Sequence, residues 1–351
     1  MKGRGATYNP KNKFAIADLE RDNAFLEYCR FEDEDLTIKS EYLNIYPKTI
    51  INKVPSPDVP LDYSLNPYQG CEHGCVYCYA RPTHEYWGYS AGVDFESKIL
   101  IKENAVSLLS NELNSKSYVP KPIMFSGNTD CYQPIEKKIG VTRNLLLKLE
   151  EFNNPVGIIT KNSLVLRDLD ILKRMAEKNQ ASVTISLTSL DENTRRALEP
   201  RTSSSYNRLK AIEIFAKNNI PVSVNLAPII PAINDFEIPN ILQSAADAGA
   251  SNASFIIVRL NHVVGEIFTN WIKEYFPDRA EKVLGLVREI HGGDLGSSTF
   301  VKRMRGDGPL AKQIKDLFQI HYKKSFPNPQ KITMDSSQFK RVDPNGQLGL
   351  F

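Results

Sequence analysis

Short apolar runs alternate with amphipathic stretches along most of the chain after residue 60. The runs are rich in β-branched residues and are bounded by Pro, Asn or Gly, which is typical of buried β-strands. The predicted strands are Lys121–Ser126, Val156–Thr160, Ser182–Leu187, Val222–Pro228 and Ser254–Leu260. One more strand, near Asp62–Pro67, is predicted ahead of a loop rich in cysteine.

Amphipathic stretches between these runs predict helices. In Ile139–Phe152 the apolar residues recur at spacings of three and four, so that they share one helical face. Ser189, with Glu192 three residues later, predicts a capping box ahead of the next helix. Gly249 follows the apolar stripe of Ile241–Ala248, where a C-terminal cap is expected.

The spacing of the strands predicts the fold class. Strand starts recur every 26 to 40 residues, which is the period of βα units and indicates a parallel sheet covered by helices. About six such units are too few for a closed eight-stranded barrel, so the α/β chain is predicted to form a partial (β/α)6 barrel. In folds of this kind, ligands bind at the carboxyl ends of the strands.

Four regions are predicted along the chain, and they differ in their pattern of apolar residues. They are an irregular N-terminal lead-in packed on the core (1–60), the barrel (61–260), a helical C-terminal extension (261–332) and a flexible tail (333–351). Within the extension, apolar residues at helical spacing predict helices over Glu266–Tyr275, Arg279–His291 and Leu310–Lys323.

Composition narrows the class of protein. With 351 residues, 41% of them hydrophobic and 24% charged, the chain is globular and long enough to bury a large core without disulfides. Its net charge of +3 neither indicates nor excludes nucleic acid as a partner. No apolar run approaches the ~20 residues that span a bilayer, and the basic N-terminus lacks the apolar stretch of a secretory signal. A cytoplasmic location is therefore expected.

Three of the five cysteines, Cys71, Cys75 and Cys78, lie in one loop with the spacing C-x3-C-x2-C. In a reducing compartment such a group indicates a metal site and not disulfides. Three thiolates in one loop can bind three irons of a cubane cluster and leave the fourth iron open to a substrate or cofactor. Zinc, with His73 or His84 as a fourth ligand, is a second interpretation, and three unrelated buried thiols are a third.

The loop carries an aromatic residue, Tyr77, before its last cysteine and follows the first strand of a partial barrel. In these features it resembles the radical SAM superfamily. Over roughly residues 60–260 the chain resembles the spore photoproduct lyase branch of that superfamily. The strings that carry this likeness are Gly70–Ala80, Ile159–Lys161, Ser182–Ser189, Glu199–Ser203 and Ala227–Ile229. The N-terminal stretch GRGATYNPKNKF and the helical end resemble an uncharacterised bacterial subgroup of the branch.

The resemblance implies a [4Fe-4S] cluster held by Cys71, Cys75 and Cys78, with S-adenosyl-L-methionine bound to its open iron. In such enzymes a reducing partner of the flavodoxin or ferredoxin type supplies one electron, which breaks the S–C5′ bond of S-adenosylmethionine. The resulting 5′-deoxyadenosyl radical abstracts a hydrogen atom from the substrate, while the protein supplies placement and excludes water. The peptide around Tyr77 is expected to lie against the adenine.

Ser126, Gly127, Asn128 and Asp130 follow the second predicted strand, where the superfamily often carries a Gly-Gly-Glu-like stretch for the amino group of the cofactor. The second Gly and the Glu are absent here, and Asp130 is the substitute acceptor that the resemblance leaves. Cys131 comes next and is predicted to return a hydrogen atom to a product radical, as a cysteine does in the photoproduct lyases. The lyases' own cysteine aligns with Gly127, however, and a free cysteine is usually a small buried apolar residue.

Three further positions match polar residues of the branch. Lys161, just past the third strand, aligns with a lysine that meets the carboxylate of the cofactor. Ser186, in the fourth strand, matches a polar residue near the ribose and methionine, and Arg201 is a weaker match. Each has a plain alternative: a solvated lysine, a serine that satisfies local backbone, and a turn with a surface charge.

The sequence ends in a short apolar motif that resembles the peptide by which bacterial repair and replication proteins dock on the DNA sliding clamp. Leu348, Leu350 and Phe351 would fill an apolar pocket, and Gln347 would fix the orientation. The alternative is a tail that folds back onto its own domain.

Three functions are consistent with these residues. The first is a radical SAM enzyme of the photoproduct lyase kind that acts on a nucleic-acid base, such as a damaged one. The second is the same radical chemistry on RNA, a protein or a small metabolite. The third is a non-catalytic iron–sulfur or zinc protein. Binding that weakens steeply with salt would favour a nucleic-acid substrate, and failure to cleave S-adenosylmethionine under strong reduction would favour the third function.

Overall fold

Six parallel strands form the partial barrel of this protein. The computed structural model describes residues 3–14, 38–59 and 61–342. Its strands are β1 (Glu41–Ile45), β2 (Ile51–Lys53), β3 (Tyr63–Leu65), β4 (Tyr68–Gln69), β5 (Lys98–Lys102), β6 (Ile123–Phe125), β7 (Val156–Thr160), β8 (Ala181–Ser186), β9 (Val222–Ile229) and β10 (Asn252–Ile257).

The strand order of the larger sheet confirms the predicted partial barrel. Strands β3, β6, β7, β8, β9 and β10 are parallel, and they neighbour one another in chain order. The short strand β2 pairs antiparallel with β3 and forms one edge, and β10 forms the other. Every strand predicted from the sequence is present, with its ends moved by a few residues. The open side of the barrel lies between these two edges.

A second, three-stranded sheet was not predicted. Strand β5 pairs parallel with β1 and antiparallel with β4, which leads into the cysteine loop. The lead-in is therefore not irregular throughout, since it contains β1 and β2. Strand β1 is mostly exposed and has no apolar run, and it becomes a strand only through its pairing with the distant β5. Residues 15–37 of the lead-in lie outside the described residues.

Helices alternate with the barrel strands and continue beyond the last of them. The main helices of the described residues are α1 (Ala105–Asn114), α2 (Val141–Phe152), α3 (Leu169–Ala176), α4 (Glu192–Leu198), α5 (Ser205–Lys217), α6 (Ile238–Asp247), α7 (Val263–Tyr275), α8 (Ala280–Ile290) and α9 (Gly308–Ser325). The helices predicted in the C-terminal extension correspond to α7, α8 and α9. Among the described helices, none combines the length and apolar character that crossing a bilayer requires.

The two predicted helix caps have different outcomes. Gly249 follows α6 with a φ of 95°, as a C-terminal glycine cap requires. The capping box at Ser189 is wrong, because the N-cap of α4 is Asp191, whose side chain accepts a hydrogen bond from the backbone of Thr194. Ser189 instead donates to the buried carboxylate of Glu237 at 2.6 Å, so its hydroxyl is not free to cap a helix.

The start of the predicted flexible tail is packed against the bottom of the barrel, where the strands begin. The thioether of Met334 lies beside Ser182, at the start of β8. The backbone N–H of Lys340 donates to Phe152, and that of Val342 donates to the side chain of Asn114. Residues 333–342 are thus held by the core instead of extending freely. The predicted clamp motif, Gln347 to Phe351, lies outside the described residues.

Candidate active site

Polar side chains converge where the six parallel strands end, a region here called the barrel mouth. Asp130, after β6, accepts hydrogen bonds from the hydroxyl of Thr160 (2.8 Å) and the backbone N–H of Lys161 (2.8 Å) at the end of β7. Its carboxylate also lies 3.4 Å from Nδ1 of His73 in the cysteine loop. Burial favours a higher pKa for Asp130, but His73 and the hydrogen bonds from the backbone of Lys161 and Tyr132 outweigh it and lower the pKa. The charged carboxylate therefore joins the cysteine loop to two strand ends.

The three predicted cluster ligands lie together at this mouth as free thiols. Cys71 and Cys78 contact Ala80 and Phe95, whereas Cys75 packs beside Tyr77. Burial raises the pKa of Cys71 well above its usual value, and the charges of Asp130 and of the other two cysteines add to the shift. Binding of a cation would relieve this mutual repulsion between thiolates, because metal ligation requires the deprotonated form.

The donor set fits an iron–sulfur cubane better than zinc. His73, one candidate for a fourth zinc ligand, uses Nδ1 toward Asp130 and Nε2 toward Asn162 (3.3 Å). His84, the other candidate, is buried against the rings of Tyr89 and Phe95. Within the described residues, no group of three or more His, Cys, Asp or Glu side chains has the spacing of a single-ion site. A cubane needs a wider spacing, since each thiolate binds its own iron.

A buried ion pair holds the cysteine loop from one side. The Arg81 guanidinium is fully buried and donates two hydrogen bonds, of 3.0 and 2.8 Å, to the carbonyl oxygen of Cys75. Its partner is the equally buried carboxylate of Glu96, at 2.5 Å. Because Arg81 carries a full charge into the interior, its orientation depends on Glu96.

The same carboxylate anchors the N-terminal segment to the loop. Glu96 accepts hydrogen bonds from the backbone N–H groups of Gly5 (2.9 Å) and Ala6 (2.7 Å). A Cβ atom at Gly5 would lie 1.7 Å from the carbonyl oxygen of Gly74, so only glycine allows this approach. Sequence reasoning assigned no role to Glu96 or Gly5, because residues so far apart along the chain share no local signal.

A second buried carboxylate, Glu199, supports the other side of the loop. It accepts hydrogen bonds from the hydroxyl of Tyr77 and from that of Thr188 (2.5 Å), and it pairs with Arg208 at 2.5 Å. The ammonium of Lys161 lies 3.1 Å from the same carboxylate. Burial favours a raised pKa for Glu199, but the charges of Arg208 and Lys161 prevail and hold the pKa far below its usual range.

Two predicted cofactor residues, Lys161 and Arg201, thus have carboxylate partners within the protein. Besides Glu199, Lys161 donates to the backbone carbonyl of Ala227 at 2.9 Å, so its ammonium stays inside the mouth. Arg201 lies 3.3 Å from the buried carboxylate of Glu72. The turn that holds Arg201 also touches the cysteine loop, because its N–H donates to the carbonyl of His73.

The residues after β6 gather at the mouth as predicted, although several of their polar groups form hydrogen bonds within the protein. Ser126 has a φ of 67°, and its hydroxyl accepts a hydrogen bond from the backbone of Cys131. The carbonyl of Gly127 accepts from the Tyr79 hydroxyl at 2.5 Å. Asn128 is held by its backbone N–H, which donates to Asn66.

Ser186 and Cys131 lie deeper than the other predicted site residues. Ser186 is buried in β8, and its carbonyl accepts a hydrogen bond from Arg208. Cys131 is fully buried in the main hydrophobic core, below the mouth. Burial, together with the charge of Asp130, raises the pKa of its thiol well above the usual value. The thiol therefore keeps its proton.

The buried His84 makes the stability of the protein depend on pH. Burial lowers the pKa of His84 from 6.5 to about 4. Between these values the unfolded chain binds the proton and the folded chain does not, so stability falls by about 1.4 kcal/mol for each unit of acidification. In urea unfolding of the metal-free protein, the free energy of unfolding is expected to be about 2 kcal/mol lower at pH 5 than at pH 6.5 because of this group. His84→Phe should lack that loss, and an identical pH dependence in both proteins would contradict the assignment.

The partial barrel and the three-thiol loop at its mouth define an enzyme class that uses an iron–sulfur cluster and S-adenosylmethionine. A family model of the Radical SAM superfamily matches residues 65–245. The chain belongs to this superfamily, and its cofactors are accordingly a [4Fe-4S] cluster and S-adenosyl-L-methionine. Enzymes of the superfamily require a reductant. Cys71, Cys75 and Cys78 are the residues that would hold the cluster.

The chain also resembles two uncharacterised proteins in sequence and a solved structure in fold. An uncharacterised protein of Mycobacterium tuberculosis is 30% identical over 244 residues, which cover 69% of this chain and 72% of that protein. An uncharacterised protein of Methanocaldococcus jannaschii is 31% identical over 199 residues, 57% of this chain and 71% of the relative. Spore photoproduct lyase complexed with dinucleoside spore photoproduct aligns with a TM-score of 0.58 at 17% identity, covering 86% of this chain and 91% of the lyase. At this identity the last comparison concerns the fold.

Proposed function

We propose that this radical SAM enzyme acts on a base of nucleic acid, in the manner of a photoproduct lyase. The observation that supports the proposal is the likeness of fold to spore photoproduct lyase, which covers 86% of the chain. That lyase was solved with a dinucleoside lesion.

Side chains around the cysteine loop position the reacting groups and exclude water from them. When bound, the cluster and S-adenosylmethionine supply hydrogen-atom abstraction by an organic radical. Arg81 and Glu199 hold the cysteine loop from opposite sides, through the carbonyl of Cys75 and the hydroxyl of Tyr77. Asp130 ties the same loop to the ends of β6 and β7. These buried contacts hold the loop in one position while the substrate enters and leaves.

Cys131 is the proposed hydrogen-atom donor to the product. It follows Asp130 directly, and its protonated thiol is the form that can give up a hydrogen atom. Cys131→Ala should still form 5′-deoxyadenosine but should yield altered nucleic-acid products, because the product radical lacks its donor. Products identical to those of the unmodified protein would remove Cys131 from the reaction.

The function is tested with anaerobically reconstituted protein, dithionite and S-adenosylmethionine, with and without ultraviolet-irradiated DNA. Formation of 5′-deoxyadenosine together with loss of a DNA photoproduct is the expected result. Formation of deoxyadenosine without any change in DNA would confirm the radical chemistry and indicate that the substrate is RNA, a protein or a small metabolite. No deoxyadenosine at full iron content would favour a non-catalytic protein. Flavodoxin or ferredoxin is the proposed reductant and can replace dithionite in the same assay.

A sliding clamp is proposed as a partner through Gln347, Leu348, Leu350 and Phe351. Leu350→Ala in the full chain should abolish binding to an immobilised bacterial clamp, since it removes one of three apolar contacts. Equal binding by the substituted protein would show that the motif is not used.

A further inference from the structure

Several cationic side chains that the structure describes around the barrel mouth are paired with carboxylates. The pairs are Arg81 with Glu96, Lys161 and Arg208 with Glu199, Arg201 with Glu72, and Arg303 with Asp58. Arg259, two residues after the end of β10, makes no hydrogen bond and no ion pair with any described residue. Among the described residues, Arg259 therefore has no carboxylate partner of its own.

Arg259 is nevertheless held in place by an aromatic ring. Its guanidinium lies 5.1 Å from the centroid of the Tyr79 ring, a cation–π contact. Tyr79 follows the cluster cysteine Cys78, and its hydroxyl is fixed at 2.5 Å by the carbonyl of Gly127. The Tyr79 ring remains 52% exposed, so the pair is open to solvent at the surface of the mouth.

Tyr79 and Arg259 come from loops near opposite ends of the barrel sheet. Tyr79 belongs to the loop after the first barrel strand, and Arg259 follows the last one. The pair thus joins loops from the two ends of the barrel sheet, which Arg303 and Arg305 also connect through Asp58 and the carbonyl of Phe255 in β10. A substrate that approaches the mouth from solvent would meet this exposed pair.

The surroundings of Arg259 are electropositive. Arg303 is close enough that, after burial itself, its charge is the largest influence on Arg259 and lowers the pKa of that guanidinium. Asp58 neutralises Arg303 through their ion pair. Two guanidinium groups thus share one carboxylate, which leaves a net positive charge at the opening.

We propose that Arg259, positioned by Tyr79, binds a phosphate of the nucleic-acid backbone and so places the target base over the cluster. This inference rests on the proposed function and names the group that recognises the substrate. The planar guanidinium can donate two parallel hydrogen bonds to a phosphate, and a half-buried position strengthens them. The carboxylate of S-adenosylmethionine is another anion of similar chemistry, but the exposure of the pair to solvent favours the larger ligand.

The test uses reconstituted holoenzyme and a fluorescein-labelled single-stranded DNA oligonucleotide, with binding followed by anisotropy at several salt concentrations. Arg259→Gln is expected to weaken binding about 5- to 10-fold and to reduce the salt slope by about one. Arg259→Lys, which keeps the charge but not the planar fork, should fall between. Tyr79→Phe, which loses the contact with Gly127, should weaken binding to a smaller extent. The matched control is Arg174→Gln, an exposed arginine of α3 paired with Glu150, which should bind as the unmodified protein does.

The Michaelis constant for S-adenosylmethionine, measured from deoxyadenosine formed without DNA, shows which anion Arg259 binds: a phosphate of DNA or the carboxylate of the cofactor. It should stay unchanged in Arg259→Gln. A raised constant with unchanged DNA binding would assign Arg259 to the cofactor and overturn the proposal, as would a variant that matches the unmodified protein in both measurements. If the unmodified holoenzyme itself does not bind DNA, the proposed function fails and this inference fails with it. Iron content and thermal unfolding confirm that each variant is folded.

Discussion

Replacing Cys75 by alanine is expected to abolish the iron–sulfur cluster and with it all radical chemistry. The three thiols lie in one loop at the barrel mouth, so each is needed to bind its own iron. Substitution of a group that merely supports a metal ligand typically lowers metal affinity or activity by about 10- to 100-fold. Loss of the ligand itself should therefore reduce deoxyadenosine formation by more than about 100-fold. The measurements are iron per chain, the visible absorbance of the cluster, and deoxyadenosine formed under dithionite.

The control for this prediction is Cys29→Ala, which makes the same chemical change outside the cysteine loop. It should retain the iron and the activity. If Cys75→Ala kept a full complement of iron and formed deoxyadenosine, the assignment of the cluster ligands would be wrong. Zinc at one atom per chain in the unmodified, anaerobically purified protein would contradict it independently.

Glu96→Gln is expected to have the largest effect on stability. The substitution leaves the fully buried Arg81 guanidinium without its counter-charge, and breaking a buried pair in this way costs about 3–5 kcal/mol. It also weakens the anchoring of Gly5 and Ala6. Because Arg81 holds the carbonyl of Cys75, the iron content after reconstitution should fall together with the free energy of unfolding, which is measured in urea.

Two further variants make this prediction specific. Glu151→Gln removes an exposed carboxylate that pairs with Lys148 on the surface, and it should cost less than about 0.5 kcal/mol. The double substitution Arg81→Met with Glu96→Leu leaves no unpaired charge and should recover part of the stability that Glu96→Gln loses. A loss in Glu96→Gln no larger than in Glu151→Gln would show that the buried pair does not hold the loop.

The paired charges also bear on how the cofactor is bound. Lys161, which the resemblance predicts to meet a carboxylate, already contacts the carboxylate of Glu199 within the protein. Asp130, predicted as the acceptor for an amino group, already accepts from Thr160 and from the backbone of Lys161. Both side chains therefore connect parts of the mouth to one another, and their roles toward S-adenosylmethionine stay predictions.

The fold could be predicted from the sequence to the extent that its signals are local. Strands such as Val156–Thr160 are short runs of β-branched residues, and the apolar stripe of Val141–Phe152 recurs at helical spacing. Their regular succession defined the partial barrel. The cysteine spacing predicted the cluster ligands, because three thiols within one loop are close together whatever the rest of the chain does. Strands β1 and β5 were missed: β1 depends on the distant β5 for its hydrogen bonds, and β5 lies between β1 and β4 in a sheet outside the barrel.

The tertiary structure alone decided which charges are buried and with which partners. In the sequence, Glu96 and Glu199 look the same as the many acidic residues of the surface, yet both are fully buried and hold the cysteine loop. Arg259 likewise resembles any exposed arginine until the barrel brings it over Tyr79. The reason is physical: a buried charge is stable only with partners supplied by distant segments, and the fold determines which segments meet.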